Sequence, residues 1–129
     1  MKSKYRCFQF NEISLFDKNE YDTIVFSDFF NEKIEEDDIP PNIKHVIFNQ
    51  YYQTLEKNVI PKGIETICLR ECYFVYSLNG IFPYGIKKIT LPSSFNQKIE
   101  ESDIPSTTKI IDLGCDYNLP LNKTLPYGI

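Results

Sequence analysis

The sequence has a single histidine and only five glycines among its 129 residues. One histidine does not allow a Ser-His-Asp or Cys-His catalytic pairing to be assembled, since those arrangements need an imidazole beside a nucleophile. Three of the glycines fall in Pro-x-Gly steps, which leaves none for a glycine-rich phosphate loop. The composition therefore offers little support for the common catalytic motifs.

Long apolar runs and excess positive charge are also missing. No stretch reaches the ~18 apolar residues of a membrane span, and Met1 to Phe16 has no apolar block of the kind found in a secretory signal. The net charge is −4, which argues against nucleic acid because a phosphate-binding face needs clustered Lys and Arg. We expect an intracellular protein, in cell or host cytoplasm, that binds neither membrane nor nucleic acid.

The four cysteines indicate neither a disulfide framework nor a metal site. They are Cys7, Cys68, Cys72 and Cys115. A repetitive core needs no disulfide staples, and Cys68-x3-Cys72 is loosely spaced for zinc, which needs three or four convergent ligands. We expect free thiols, no metal and no cofactor.

What the sequence does contain is a repeat of about 22 residues. Residues 30–40 (FNEKIEEDDIP) and residues 95–105 (FNQKIEESDIP) differ at two of eleven positions. Counted from the residue that precedes the proline of each Ile-Pro-like step, the turns begin at Asp17, Ile39, Ile60, Phe82, Ile104 and Leu125. A period in this range indicates a solenoid, in which each turn buries its apolar face only by stacking on its neighbours.

Two columns of the repeat are apolar in every complete turn and indicate a strand. They are Ile24, Val46, Ile67, Ile89 and Ile111, and then Phe26, Phe48, Leu69, Leu91 and Leu113. Polar residues alternate with them, as a half-buried strand requires. We predict a mainly β, leucine-rich-repeat-like, right-handed solenoid of about five turns of 21–22 residues. Its one parallel sheet has strands centred near Val25, Ile47, Cys68, Thr90 and Asp112.

Proline and glycine mark the corner that starts each turn. Steps such as Pro83-Tyr84-Gly85 suit a type I turn with proline second and glycine fourth. Thr107 stands in the glycine place of its turn, which predicts a distorted corner there.

An aromatic residue follows the strand in every complete turn. The column contains Phe30, Tyr52, Tyr73, Phe95 and Tyr117. Five aromatics at this spacing predict a stacked spine inside the core, with a ligand-stacking platform as the alternative. The next column is mostly amides (Asn31, Gln53, Asn96, Asn118), which predicts hydrogen bonds to the backbone of the adjacent turn.

The pattern Ile-Pro-x-x-Ile-x-x-Ile-x-Leu-x-x-x-Phe-Asn-x-x-Ile resembles the FNIP repeat, a leucine-rich-repeat relative of amoebae and of the giant viruses that infect them. It is most complete at residues 82–99, and the resemblance extends over residues 17–129. The resemblance implies protein–protein interaction. Some FNIP proteins also carry an F-box that recruits a ubiquitin ligase, but Met1 to Phe16 is too short for that helical domain.

The repeat boundaries predict two segments, an N-terminal capping segment at 1–16 and the repeat solenoid at 17–129. Pro126 to Ile129 opens a further turn without a strand after it. The edge of the fifth turn would then carry unpaired backbone groups. We expect self-association, or binding of a partner, through this C-terminal turn.

The outward side of the strands is the candidate binding surface, since its mixed polar and apolar residues suit protein recognition. The residues that we select on it are His45, Asn49, Thr66, Arg70, Lys88, Thr90 and Asp112. The leading interpretation is a non-catalytic scaffold that binds a protein partner, of adaptor or substrate-recognition type.

Two other classes of function remain. A structural component, such as a virion or assembly protein, is the first alternative. The second is a carbohydrate-active β-helix enzyme, which would need two carboxylates, or a carboxylate with Arg or Lys, converging on neighbouring strands. The outward face holds a single acid, Asp112, so an enzyme is the less favoured of the two.

Overall fold

The computed structural model describes residues 5–8, 22–27, 30, 32–72, 77–121 and 125–129. Six short strands run through this part of the chain: β1 (Tyr5–Phe8), β2 (Thr23–Phe26), β3 (His45–Phe48), β4 (Thr66–Cys68), β5 (Lys88–Thr90) and β6 (Ile110–Asp112). They form one parallel sheet in sequence order. The described residues contain no helix, so the connection between each pair of strands is an irregular coil. This confirms the predicted β-solenoid.

The strand register sets the number of turns. The pairs Thr23–His45, His45–Thr66, Thr66–Lys88 and Lys88–Ile110 are separated by 22, 21, 22 and 22 residues. Four full turns therefore lie between β2 and β6, one fewer than predicted. The prediction counted proline corners from Asp17, which lies outside the described residues, whereas a closed turn needs a paired strand at both ends.

The sheet extends into the predicted capping segment. Strand β1 pairs with β2, and Tyr5 lies opposite Thr23, a step of 18 residues that is shorter than the repeat. The predicted boundary at residue 16 lies outside the described residues and stays a prediction.

The inner face of the sheet forms the core. Both predicted apolar columns are buried from β2 to β5, and Ile24, Phe26, Val46, Leu69 and Ile89 are 0% exposed. In the last turn, the corresponding Ile111 and Leu113 are only partly buried, since each turn is covered by the turn that follows it.

The aromatic spine is present, but the prediction placed one member wrongly. Tyr51 is 2% exposed, whereas Tyr52 is 62% exposed. The Tyr51 ring lies 6.2 Å from that of Phe30 and 5.0 Å from that of Phe48. The second turn has 21 residues, and the missing residue lies between strand and spine, so the aromatic follows Phe48 by three positions rather than four. Fixed counting from the proline corner therefore selects the wrong tyrosine.

The spine continues at the other end of the solenoid and is interrupted in the middle. Phe95 and Tyr117 stack at 6.1 Å with their planes 4° apart. Tyr73 lies outside the described residues, as does Phe74. The buried Cys72 follows Leu69 by three positions, as Tyr51 follows Phe48, and its thiol is 3.9 Å from the Phe48 carbonyl oxygen.

Burial changes the chemistry of Cys72. Desolvation raises the pKa of its thiol from 9.0 to about 11. Cys68, Cys72 and Cys115 are all free, and Cys115 is exposed.

We expect Cys72 to react with iodoacetamide far more slowly than Cys115 in the folded protein, because burial reduces both its access and its thiolate fraction. The raised pKa also means that the neutral thiol stabilises the fold fully below pH 9.0, and that this contribution is lost as the pH rises towards about 11. Peptide mapping by mass spectrometry after timed alkylation measures the rates. Equal rates at Cys72 and Cys115 would contradict the burial of Cys72.

The corners contain the predicted turns in a different register. The Ile86 N–H donates to the Pro83 carbonyl, so proline is first and Gly85 is third in the turn. Gly85 has a φ of 107°, as a type II turn requires at its third position. The equivalent Thr108-to-Pro105 bond is intact at 3.0 Å, so the corner at Thr107 is not distorted as predicted. Its hydroxyl accepts from the Gly85 N–H and donates to the Ile86 carbonyl, which ties two turns together.

The polar columns behave partly as predicted. The Asn96 side chain accepts a hydrogen bond from the Asn118 N–H in the next turn at 3.1 Å, which confirms the amide prediction at that position. In the two acidic runs, Asp38 and Asp103 accept from the N–H groups of Glu35 and Glu100. These two carboxylates therefore stabilise local turns.

Candidate functional site

The outward side of the sheet presents two rows of side chains across the strands. The first row contains Thr23, His45, Thr66, Lys88 and Ile110, and the second contains Val25, Ile47, Cys68, Thr90 and Asp112. Asn49 and Arg70 follow the ends of β3 and β4. The predicted candidate residues therefore share one face, because parallel strands stack in register about 4.8 Å apart.

His45 and Thr66 form a polar pair at the start of β3 and β4. The His45 Nδ1 lies 2.7 Å from the Thr66 Oγ1, and both residues are half-buried. The ring and the hydroxyl orient each other and form a fixed, polar anchor on the sheet.

Arg70 and Asp112 form an ion pair that crosses β5. The Arg70 Nη2 is 3.6 Å from the Asp112 Oδ2, and the two side chains are 59% and 48% exposed. Asp112 also accepts a hydrogen bond from the Gly114 N–H. The pair bridges two turns of the solenoid and, at this exposure, contributes little to stability.

Thr90 is buried beneath this pair, contrary to the expectation of a solvent-facing hydroxyl. It is 5% exposed, and its register partners are Cys68 and Asp112. The Arg70 side chain has to pass over β5 to reach Asp112, so it covers the residue between them. A partner could reach Thr90 only if Arg70 moved.

The structure does not join the last two candidates to this arrangement. Lys88 is exposed at the start of β5, and Asn49 is half-buried after β3. The Asn49 backbone N–H donates to the Phe26 carbonyl at 2.9 Å. The seven candidates thus form two linked pairs, one buried threonine and two separate polar groups.

Sequence reasoning missed the column that immediately precedes the strands. It contains Asp22, Lys44, Glu65, Lys87 and Lys109, linked from turn to turn by backbone hydrogen bonds of 2.7–2.8 Å. The Lys87 Nζ is 3.3 Å from the Glu65 Oε1. The signal was the recurrence of charge at one position in each turn, which the search for strand alternation passed over.

A second surface feature crosses the proline corners. An open groove of about 580 Å³ is lined by Pro41, Pro61 and Pro83, with Tyr84 at its edge. Tyr84 is 71% exposed. The groove runs across three successive turns and is separate from the sheet face.

Neither surface contains an arrangement suited to catalysis. Arg70 and Asp112 do meet the condition of a carboxylate beside an arginine, but they lie on an open sheet, and arginine does not exchange its proton at physiological pH. Among the described residues, no group of three or more His, Cys, Asp or Glu side chains is placed to hold a metal ion. In the same part of the chain, no helix is long and apolar enough to cross a membrane.

Comparisons with known proteins agree with this geometry. The FNIP repeat family matches residues 30–72 and 78–116. The probable inactive serine/threonine-protein kinase fnkC of Dictyostelium discoideum is 26% identical over 106 residues, which is 80% of this chain and 8% of that protein. The chain therefore spans a small part of this relative.

A solved structure has the same fold. CroV588, described as a circular LRR protein, superposes with a TM-score of 0.74 at 23% identity, over 85% of this chain and 16% of CroV588. The likeness shows the leucine-rich-repeat type of solenoid. Since the family match covers more than half of the sequence and the repeated turns match the strands of the sheet, this chain belongs to the FNIP repeat family.

Proposed function

We propose that this chain is a non-catalytic repeat scaffold that binds a protein partner on the outward face of its sheet. The observation that carries the proposal is the division of labour between the two faces. The inner face is committed to the core, whereas the outer face holds His45 and Arg70 on a rigid parallel ladder. A rigid surface loses little conformational freedom when it binds.

Family and fold support this proposal. Solenoids create extended surfaces that bind other proteins, and the FNIP repeat and leucine-rich-repeat-like turns place this chain among them. An adaptor or substrate-recognition role, and a location in the cytoplasm, stay predictions within this proposal. Self-association through the C-terminal turn is a further prediction of the same kind.

The test compares the sheet face with the proline groove. We expect the double variant His45→Glu, Arg70→Glu to lose the proteins that the wild-type chain captures from amoebal extract, measured by quantitative mass spectrometry. The matched control is Lys62→Glu, Tyr84→Glu, which changes two exposed groove residues. Circular dichroism checks that both variants are folded.

The two variants separate the possible results. Loss with the sheet variant alone supports the proposal. Loss with the groove variant alone, or no difference between either variant and wild type, would overturn it.

A further inference from the structure

The start of β5 and β6 carries a concentration of positive charge that the rest of the chain lacks. Lys87, Lys88 and Lys109 are exposed there, in two adjacent turns. The Lys87 carbonyl accepts hydrogen bonds from the N–H groups of both Lys109 and Ile110, which holds the two turns side by side. We call Lys87, Lys88, Lys109 and Ile110 the basic patch.

Two of the three charges in the basic patch are uncompensated. Lys87 is paired with Glu65 at 3.3 Å. Neither Lys88 nor Lys109 forms an ion pair within the part of the chain that the structure describes. The nearby carboxylate of Asp112 is already bound to Arg70. This local positive charge stands out because the chain as a whole has a net charge of −4.

The patch also contains an apolar residue in an unusual position. Ile110 is 55% exposed and occupies the first row of the sheet, where Lys88 is its direct neighbour. The preceding strands carry threonine, histidine or lysine at this place. An exposed isoleucine flanked by lysines offers a partner an apolar contact surrounded by cations.

We propose that the basic patch binds an acidic peptide segment of a partner protein, with an apolar side chain of that segment resting on Ile110. Charge complementarity selects the occupant, since carboxylates would compensate Lys88 and Lys109 and opposite charges steer the encounter. The proposal rests on the proposed function, because it specifies where on the sheet face the partner docks and what its segment contains.

The direct test measures binding of a fluorescein-labelled peptide of glutamates with two leucines to the purified chain, by fluorescence anisotropy at low salt. We expect binding that weakens as salt is raised. The variant Lys88→Glu, Lys109→Glu weakens it by about tenfold or more, since each exposed charge that is reversed turns an attraction into a repulsion. Ile110→Ser weakens it by about threefold, and a peptide with glutamine in place of glutamate does not bind.

The matched control is Lys57→Glu, Lys62→Glu, which makes the same change in net charge at exposed residues elsewhere. An effect within about twofold of wild type supports the patch, whereas a loss equal to that of Lys88→Glu, Lys109→Glu assigns the binding to overall charge and overturns the proposal. Absence of binding by the wild-type chain overturns it as well. So does salt-sensitive self-association that needs Lys88 and Lys109 without peptide binding, because the occupant is then a second copy.

This experiment fails separately from the proposed function. The peptide assay uses no extract, and the capture experiment changes His45 and Arg70 rather than the basic patch. Loss of capture by the His45 and Arg70 variant, together with no peptide binding, leaves the scaffold proposal standing and removes the acidic segment.

Discussion

Replacing Tyr51 by alanine is expected to lower the free energy of unfolding by about 3–5 kcal/mol, the usual cost of truncating a large buried aromatic. The ring is 2% exposed and packs against Phe30 and Phe48. Its hydroxyl donates to the Glu32 carbonyl at 2.8 Å and accepts from the Ile34 N–H at 3.2 Å. Both partners belong to the previous turn, so the substitution removes packing and inter-turn hydrogen bonds together. Urea denaturation followed by circular dichroism measures the loss.

The neighbouring tyrosine provides the control. Tyr52→Ala should change the free energy of unfolding by less than about 0.5 kcal/mol, since its side chain is 62% exposed. Tyr51→Phe keeps the ring and isolates the hydroxyl, with an expected loss of about 1–3 kcal/mol because the Ile34 N–H loses its acceptor. If Tyr52→Ala proved as damaging as Tyr51→Ala, the placement of the spine in the second turn would be wrong.

The second large effect is expected at the centre of the sheet. Ile89→Asp should unfold the protein, because residue 89 is 0% exposed and packed in the core. A carboxylate there would be buried without a partner, at a cost of about 4 kcal/mol or more, a large part of the stability of a domain this size. Loss of the cooperative thermal transition is the measurement, and Leu91→Asp should behave in the same way.

The same substitution on the opposite face is the matched control. Ile110 lies at the start of the adjacent strand and is 55% exposed, so Ile110→Asp should leave the fold intact. Thr90 is unsuitable for this comparison because it is buried under Arg70 and Asp112. Equal thermal stability of Ile89→Asp and Ile110→Asp would refute the assignment of the two faces.

The sequence by itself determined the solenoid, the strand positions and the face on which most candidate residues lie. The reason is physical: each turn buries the same two columns, so the 21–22-residue period and the alternation around Ile89 leave a single consistent strand register. The family resemblance follows from those same columns and is confirmed. Interactions within one turn, such as the Ile86-to-Pro83 hydrogen bond, were predicted in kind, though with the wrong turn position.

Only the tertiary structure decided which residues each turn presents to the next. Whether Tyr51 or Tyr52 is buried depends on where a turn loses one residue, and the period does not show this place. Thr90 is buried because a side chain from one turn reaches over it to another. Whether a lysine is compensated depends on its neighbours across turns, as the contrast between Lys87 and Lys88 shows. Such contacts join residues about 22 or more positions apart, so local pattern fixes the columns while the three-dimensional stacking fixes the partners.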